Sequence, residues 1–187
     1  MKLVVISGVS GSGKSNALNV LEDLDYYCID NLPVGLLPAF AEQAQASKDS
    51  ISHAAIGIDA RNLPNELPRF SYILEQLRNK GVVVEVMFLD ADNNILLKRF
   101  SETRRKHPLT ENEIPLIEAI KKERELLEPI ASRADLYIDT SRTNIYQLRD
   151  LLKERITGST AQNLSLLFES FGFKHGAPTD ADFVFDA

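Results

Sequence analysis

Cysteine is nearly absent from this chain of 187 residues: Cys28 is the only one. An intrachain disulfide, a cysteine-built zinc cluster and a dithiol redox pair are therefore excluded, and a lone thiol agrees with a reducing compartment. Cys28 itself reads as a small buried strand residue. Long apolar runs are missing too. None approaches the roughly 20 residues that a bilayer-spanning helix needs, and the start Leu3-Val4-Val5-Ile6 is too short for a secretory signal. The expectation is a cytoplasmic protein with no membrane partner. Internal repeats and low-complexity segments are also lacking. His53, His107 and His175 have no metal-ligand spacing; the first two are expected in loops and the third in a tight turn, and no Ser-His-Asp or Cys-His arrangement emerges. Positive charge is in deficit, 21 Lys and Arg against 27 Asp and Glu, so the net charge of −6 argues against a surface built wholly for nucleic acid. A local basic patch stays open.

What is present begins with Gly8-Val9-Ser10-Gly11-Ser12-Gly13-Lys14-Ser15, placed between an apolar strand and a helical pattern. The spacing G-x-x-x-x-G-K-S has a mechanism. Glycines let consecutive backbone N–H groups turn inward around an anionic phosphate chain, at a helix N-terminus whose dipole favours negative charge. Lys14 is expected on the β and γ phosphates and Ser15 on magnesium.

Helical periodicity then runs from Ser15 to Leu24 and from Leu36 to Ala46. It returns through Phe70, Ile73, Leu74 and Leu77 to Lys80-Gly81, and again from Ile95 through the basic run to His107, where Pro108 breaks it. A capping box at Thr110 and Glu113 opens a helix that Pro129 is expected to stop, and Ile145 to Ile156 forms one closed by Gly158. Strands are expected at Leu3–Ile6, Tyr26–Ile29, Ala54–Ile58, Val82–Leu89 and Leu136–Ile138. Two further short strands, in Leu164–Phe171 and Phe183–Phe185, look like the opening of a second domain that is absent or shortened. The expected division is 1–158 and 159–187.

Five strands alternating with helices specify a three-layer α/β domain with a parallel five-stranded sheet, because right-handed crossovers put helices on both faces. Ligands in such sheets bind beyond the carboxyl ends of the strands. The glycine-rich loop, Asp30, Asp59, Asp90 and Asp139 all fall on that edge. Asp59 is the first choice for a magnesium-side carboxylate and Asp30 the second, while Asp90 fits the apolar-run-then-Asp pattern equally well. Arg99, Arg104 and Arg105 follow the fourth strand and read as a flap over phosphates, as a nucleic-acid or partner contact, or as a solvated helix end.

Several segments together, Tyr27-Cys28-Ile29-Asp30-Asn31-Leu32-Pro33, Asp59-Ala60-Arg61-Asn62, Thr103-Arg104-Arg105-Lys106-His107-Pro108-Leu109 and Phe171-Gly172-Phe173-Lys174-His175-Gly176, resemble the RapZ (YvcJ) family of bacterial P-loop nucleotide-binding proteins, or RNase adapters. The resemblance covers essentially the whole chain. It implies a P-loop NTPase domain of the nucleotide-kinase type, an ATP site at Gly8 to Ser15 and a GTP segment at Asp59 to Asn62. It also implies weak ATP or GTP hydrolysis. The reading of the residues themselves gives that hydrolysis to Lys14, Asp59, Arg104 and Arg105, and magnesium to Ser15 with Asp59 or Asp30. In proteobacterial members it implies binding of small RNAs and their presentation to a ribonuclease, which controls amino-sugar synthesis. Family members continue for roughly a further domain, where RNA binding and oligomer contacts are expected, so homo-oligomerisation stays open. The other readings are a small-molecule or nucleotide kinase and a non-hydrolysing nucleotide switch. No Asn-Lys-x-Asp guanine-reading segment follows, and Asn79-Lys80-Gly81 lacks its Asp, so ATP and GTP are not distinguished.

Overall fold

The computed structural model describes residues 1–46, 51–61, 66–104, 106–110 and 114–158. Within these residues there are five strands: β1 (Lys2–Gly8), β2 (Tyr27–Ile29), β3 (His53–Ile58), β4 (Val83–Asp90) and β5 (Leu136–Asp139). Among the described residues six α-helices accompany them, the last following β5: α1 (Lys14–Glu22), α2 (Leu37–Ala46), α3 (Phe70–Asn79), α4 (Asn93–Thr103), α5 (Leu116–Ala131) and α6 (Ile145–Thr157). The sheet runs β2-β3-β1-β4-β5, every pairing parallel. β1 is central, hydrogen-bonded to β3 on one side and β4 on the other.

Side chains alternate across this sheet as a period of two requires. Leu3 and Val5 of β1, with Ile56 and Val86 of its neighbours, pack under α2, α3 and α5. Val4 and Ile6, with Ala55, Met87 and Ile138, pack under α1 and α6. Both faces are covered, which is why β1 and β4 read as nearly uninterrupted apolar runs. The expected three-layer parallel architecture is therefore the observed one.

Four local expectations are corrected. The helix α4 ends at Thr103, not at Pro108: Arg104 takes the left-handed conformation (φ 50°) and closes it, and three residues on, His107 turns into the interior. The helix after it starts at Leu116 and carries Pro129 within its last turn. Proline removes one N–H from the ladder, but burial of the next residue, Ile130, keeps that turn on the core. His53 opens β3 instead of lying in a loop. Cys28 is half-buried on β2, with its thiol donating to the Leu18 carbonyl at 3.4 Å. Glu113, of the expected capping box, and the whole 159–187 segment lie outside the described residues.

Candidate functional site

β1 delivers the chain to the carboxyl edge of the sheet, where the loop turns through positive φ at Gly8, Gly11 and Gly13 before α1 starts. At Gly8 (φ 145°) the requirement is absolute: a Cβ there would lie 2.0 Å from the carbonyl oxygen of Leu89. The loop closes on itself and on β4 through Val9 N–H to the Leu89 carbonyl (3.1 Å) and Ser12 N–H to the Val9 carbonyl (3.0 Å). The first hydrogen bond of α1 runs from Ala17 N–H to the Gly13 carbonyl, so the amides of Gly13, Lys14, Ser15 and Asn16 precede the helical ladder. They form an N-terminal anion cradle. Lys14 donates from Nζ to the Gly8 carbonyl at 2.6 Å.

Two braces hold this loop from outside. Arg99 of α4 donates from one guanidinium nitrogen to the Gly11 carbonyl and to Thr140 Oγ1, both at 3.0 Å, and from another to the Thr140 carbonyl at 2.7 Å. Thr140, buried just after β5, donates its hydroxyl to the Ser12 carbonyl at 2.8 Å. Arg99 is thus a clamp on the loop backbone and not part of a free flap. The second brace is Glu123 of α5, fully buried, whose carboxylate accepts from Ser10 N–H (2.8 Å), Ser10 Oγ–H (2.7 Å) and His107 Nε2 (3.0 Å).

The strand-end carboxylates are not equivalent. Asp59, buried at the end of β3, accepts from the backbone N–H of Arg61 (2.8 Å) and from its Nε (2.9 Å). Arg61 itself is exposed, and Ala60 between them is buried. Asp30 is exposed after β2, over a strand glycine: a Cβ at Gly57 would lie 2.6 Å from its Oδ1. Asp90 is held by Arg124 through Nε (3.0 Å) and by the Tyr137 hydroxyl (2.9 Å), beside an open polar cleft of about 350 Å³. Asp139 accepts from the hydroxyl and backbone of Ser141, which hold its carboxyl below the usual carboxylate range.

Electrostatically, Lys14, Asp30, Asp59, Arg61 and Glu123 form one group. Burial pushes the Lys14 ammonium down, and Glu123, Asp59 and Asp30 oppose that shift. Of the expected site residues, Ser15 is exposed on the first turn of α1. Arg104 is exposed, and among the described residues its side chain makes no hydrogen bond or ion pair. Asn62 and Arg105 lie outside the described residues.

The model of the RapZ-like N-terminal domain matches residues 1–160. The chain belongs to that family. Among its curated relatives, a "Nucleotide-binding protein" of Nitrosococcus oceani is 62% identical over 186 residues, covering all of this chain and 65% of the relative. One of the same name from Marinobacter nauticus is 54% identical over 188 residues, covering all of this chain and 64% of that protein. The chain thus spans about two thirds of the length of these relatives. Solved structures share the fold at low identity. A shikimate kinase from Bacteroides thetaiotaomicron superposes with a TM-score of 0.54 at 15% identity, over 83% of this chain and 98% of that one. A sugar kinase from Janibacter gives 0.54 at 16%, over 86% and 96%. The RapZ-like domain is accordingly a three-layer α/β P-loop fold.

Glu123, Thr140 and Arg124 were not legible as site residues of this RapZ-like domain. For Glu123 a signal existed: it falls on the buried stripe Ala119, Ile120, Glu123, Leu127, Ile130, and a carboxylate on an apolar stripe demands a partner. Thr140 and Arg124 carry no comparable local mark.

Proposed function

We propose that this chain binds a nucleoside triphosphate, ATP or GTP, with magnesium at Gly8–Ser15, and hydrolyses it slowly in a regulatory role. The observation that carries the reading is the cradle itself: unladdered amides from Gly13 to Asn16 open α1, with Lys14 beside them at the carboxyl edge of a parallel sheet. The donor set suits phosphate, and the Ser7 and Ser12 hydroxyls, both buried in or beside the loop, have no hydrogen-bond partner among the described residues. The printed name of the curated relatives supports the same reading.

The residues fit magnesium in the way nucleotide sites usually hold it, by one or two protein oxygens with phosphate completing the shell. Ser15 would supply a hydroxyl and Asp59 or Asp30 a carboxylate. Among the described residues no group of three or more His, Cys, Asp or Glu could hold a metal by itself. When bound, the metal would supply charge neutralisation on the phosphates. The chain's own part is to hold and orient: the α1 amides and Lys14 bind, Arg99 and Thr140 fix the loop, and Arg61 keeps Asp59 paired. Val9, Ser10, Gly11, Ser12 and Gly13 line the phosphates, Ala60 to Asn62 form the GTP segment, and Arg104 and Arg105 are the cations of the transferring group.

Small-RNA binding, presentation to a ribonuclease and homo-oligomerisation belong in this reading to the longer proteins, of which the chain spans about two thirds. No helix among the described residues is long and apolar enough to cross a membrane. A second reading, phosphoryl transfer to a small acceptor, is favoured by the exposed Asp30 and Arg61 beside the loop. A screen of nucleotides, sugars and small acids separates the two, since robust turnover on any acceptor sinks the adapter reading.

Calorimetry on Lys14→Ala tests the site. Triphosphate affinity is expected to fall by about a hundredfold, the loss of one charge-assisted contact to phosphate. Unchanged affinity for both ATP and GTP would refute it.

A further inference from the structure

Glu123 is connected on both sides of the loop in a way that the anion cradle does not require. Its Oε1 accepts from Ser10 Oγ–H, and its Oε2 accepts from Ser10 N–H and from His107. His107 Nδ1 accepts from Leu109 N–H at 3.1 Å, so Nε2 carries the proton given to Glu123. The His107 carbonyl in turn accepts from Thr110 N–H (3.1 Å) and Thr110 Oγ–H (2.7 Å). Both side chains of the Glu123–His107 pair are wholly inaccessible to solvent, and the imidazole lies 5.3 Å from the Phe100 ring of α4. A buried carboxylate beside an anion site is repulsive, and its retention demands an offsetting set of donors. Among the described residues the donors come from two places: the third residue of the loop and the turn that follows Arg104.

We propose that Glu123 is a positioning residue that ties the phosphate loop, through Ser10, to the turn at 107–110, through His107, so that triphosphate turnover depends on it much more than nucleotide affinity does. The inference rests on nucleotide binding at the loop. The separation of turnover from affinity follows from the wiring. The Ser10 amide is spent on Glu123, whereas the cradle amides lie at the start of α1 and do not touch it. Losing Glu123 leaves the cradle intact but frees Ser10 and the turn, and turnover is sensitive to sub-ångström placement where binding is not.

The test uses the full 187-residue chain with MgATP and MgGTP. Glu123→Gln keeps the shape but replaces one acceptor with a donor, and kcat is expected to fall by about tenfold or more while the calorimetric Kd moves by less than about threefold. His107→Leu should behave like Glu123→Gln, and His107→Gln, which can still donate to the carboxylate, should turn over several-fold faster than His107→Leu. Hydrogen exchange supplies a readout independent of turnover. The Leu109 and Thr110 amides, which bond to His107, should change protection when a magnesium complex of a non-hydrolysable ATP or GTP analogue binds the wild type, and not in Glu123→Gln.

Equal losses in kcat and affinity, an unchanged kcat, or an exchange response that survives Glu123→Gln would each overturn the inference. Where wild-type turnover is too slow to measure, the exchange comparison decides. Where Glu123→Gln does not fold, the His107 pair decides. A wild type that binds neither nucleotide brings down the reading of the loop itself, whereas binding with any of the overturning results brings down only this inference.

Discussion

Asp59 follows the last residue of β3 and Asp90 is the last of β4, the two strands that flank β1, and both are paired with arginine, but the pairs are built differently. The partner of Asp59 is Arg61, two residues along the same chain, with its side chain 54% exposed. That guanidinium can leave without unpacking anything. Asp90 is held by Arg124 from α5, which also binds Asn93 and the Ala91 carbonyl, and by Tyr137 of β5. Releasing Asp90 would undo contacts among β4, α4, α5 and β5. Identical residues at matching strand ends therefore have different availability: Asp59 has one displaceable partner, and Asp90 is a structural hub. Sequence pattern alone ranks the two nearly equally as magnesium-side acids.

The largest effect expected from this contrast is on Asp59. If it serves the metal, Asp59→Asn should reduce magnesium-dependent triphosphate turnover by about a hundredfold, since metal stabilisation of the transferring group is worth several kcal/mol. Its thermal stability should change by less than about 1 kcal/mol, because the Arg61 guanidinium is half-exposed and the isosteric amide oxygen can still accept from the Arg61 N–H. Steady-state assays at varied magnesium measure the first, and an unaltered magnesium dependence would put the metal elsewhere.

Asp90→Ala should give the opposite pattern. Removing the centre of the Arg124 and Tyr137 network is expected to cost about 2 kcal/mol, less than a fully buried pair would lose because Arg124 remains partly exposed. For a chain of this size that is a fall in Tm of roughly 5 °C. Nucleotide affinity should stay within about twofold of wild type. Lost affinity with preserved Tm would reverse the assignments of the two acids.

The smallest effect belongs to the rim of the Asp90 hub. Burial, followed by the hydrogen bond to Asp90, pushes the Tyr137 phenol up to about 12 from its ordinary value of 10.0. A raised folded-state value means that the folded protein holds this proton more tightly than the unfolded chain. The contribution to stability is therefore complete below pH 10 and is lost as pH rises from about 10 through about 12. Tyr137→Phe should cost under about 1 kcal/mol at neutral pH, the ring being half-exposed, and should flatten the alkaline decline. Tm measured across pH 9 to 12 checks this, and a decline identical in both proteins would remove Tyr137 from the network.

Much of the fold was legible because it rests on local pattern. The apolar runs at Leu3–Ile6 and, within the expected strand Val82–Leu89, at Val86–Leu89 are buried on both faces and announce parallel strands, and helical spacing at Phe70, Ile73, Leu74 and Leu77 matches the buried face of α3. The misreadings occur where a distant contact overrides local preference. Proline at 108 looks like the stop of α4, yet the helix has already ended at Thr103, and the chain beyond it is held by the bond of His107 to Glu123. Proline at 129 looks like a terminator, yet Ile130 is wholly buried and the helix continues to Ala131. Within the basic cluster, Arg99 is bound to the loop and to Thr140, a long-range pairing that local spacing does not announce.

The sequence by itself determined where the loop lies, which strand delivers it, and that aspartates share its edge of the sheet, because each of these follows from residue types at short spacing. Tertiary structure decided which acids are committed and what grips the loop. The contacts responsible join residues far apart in the chain, Ser10 to Glu123 across 113 positions and Arg99 to Gly11 across 88. No local periodicity encodes such a pairing. It arises only when the parallel sheet brings the ends of β1, β4 and β5 together with α4 and α5 and leaves a buried carboxylate that must find donors.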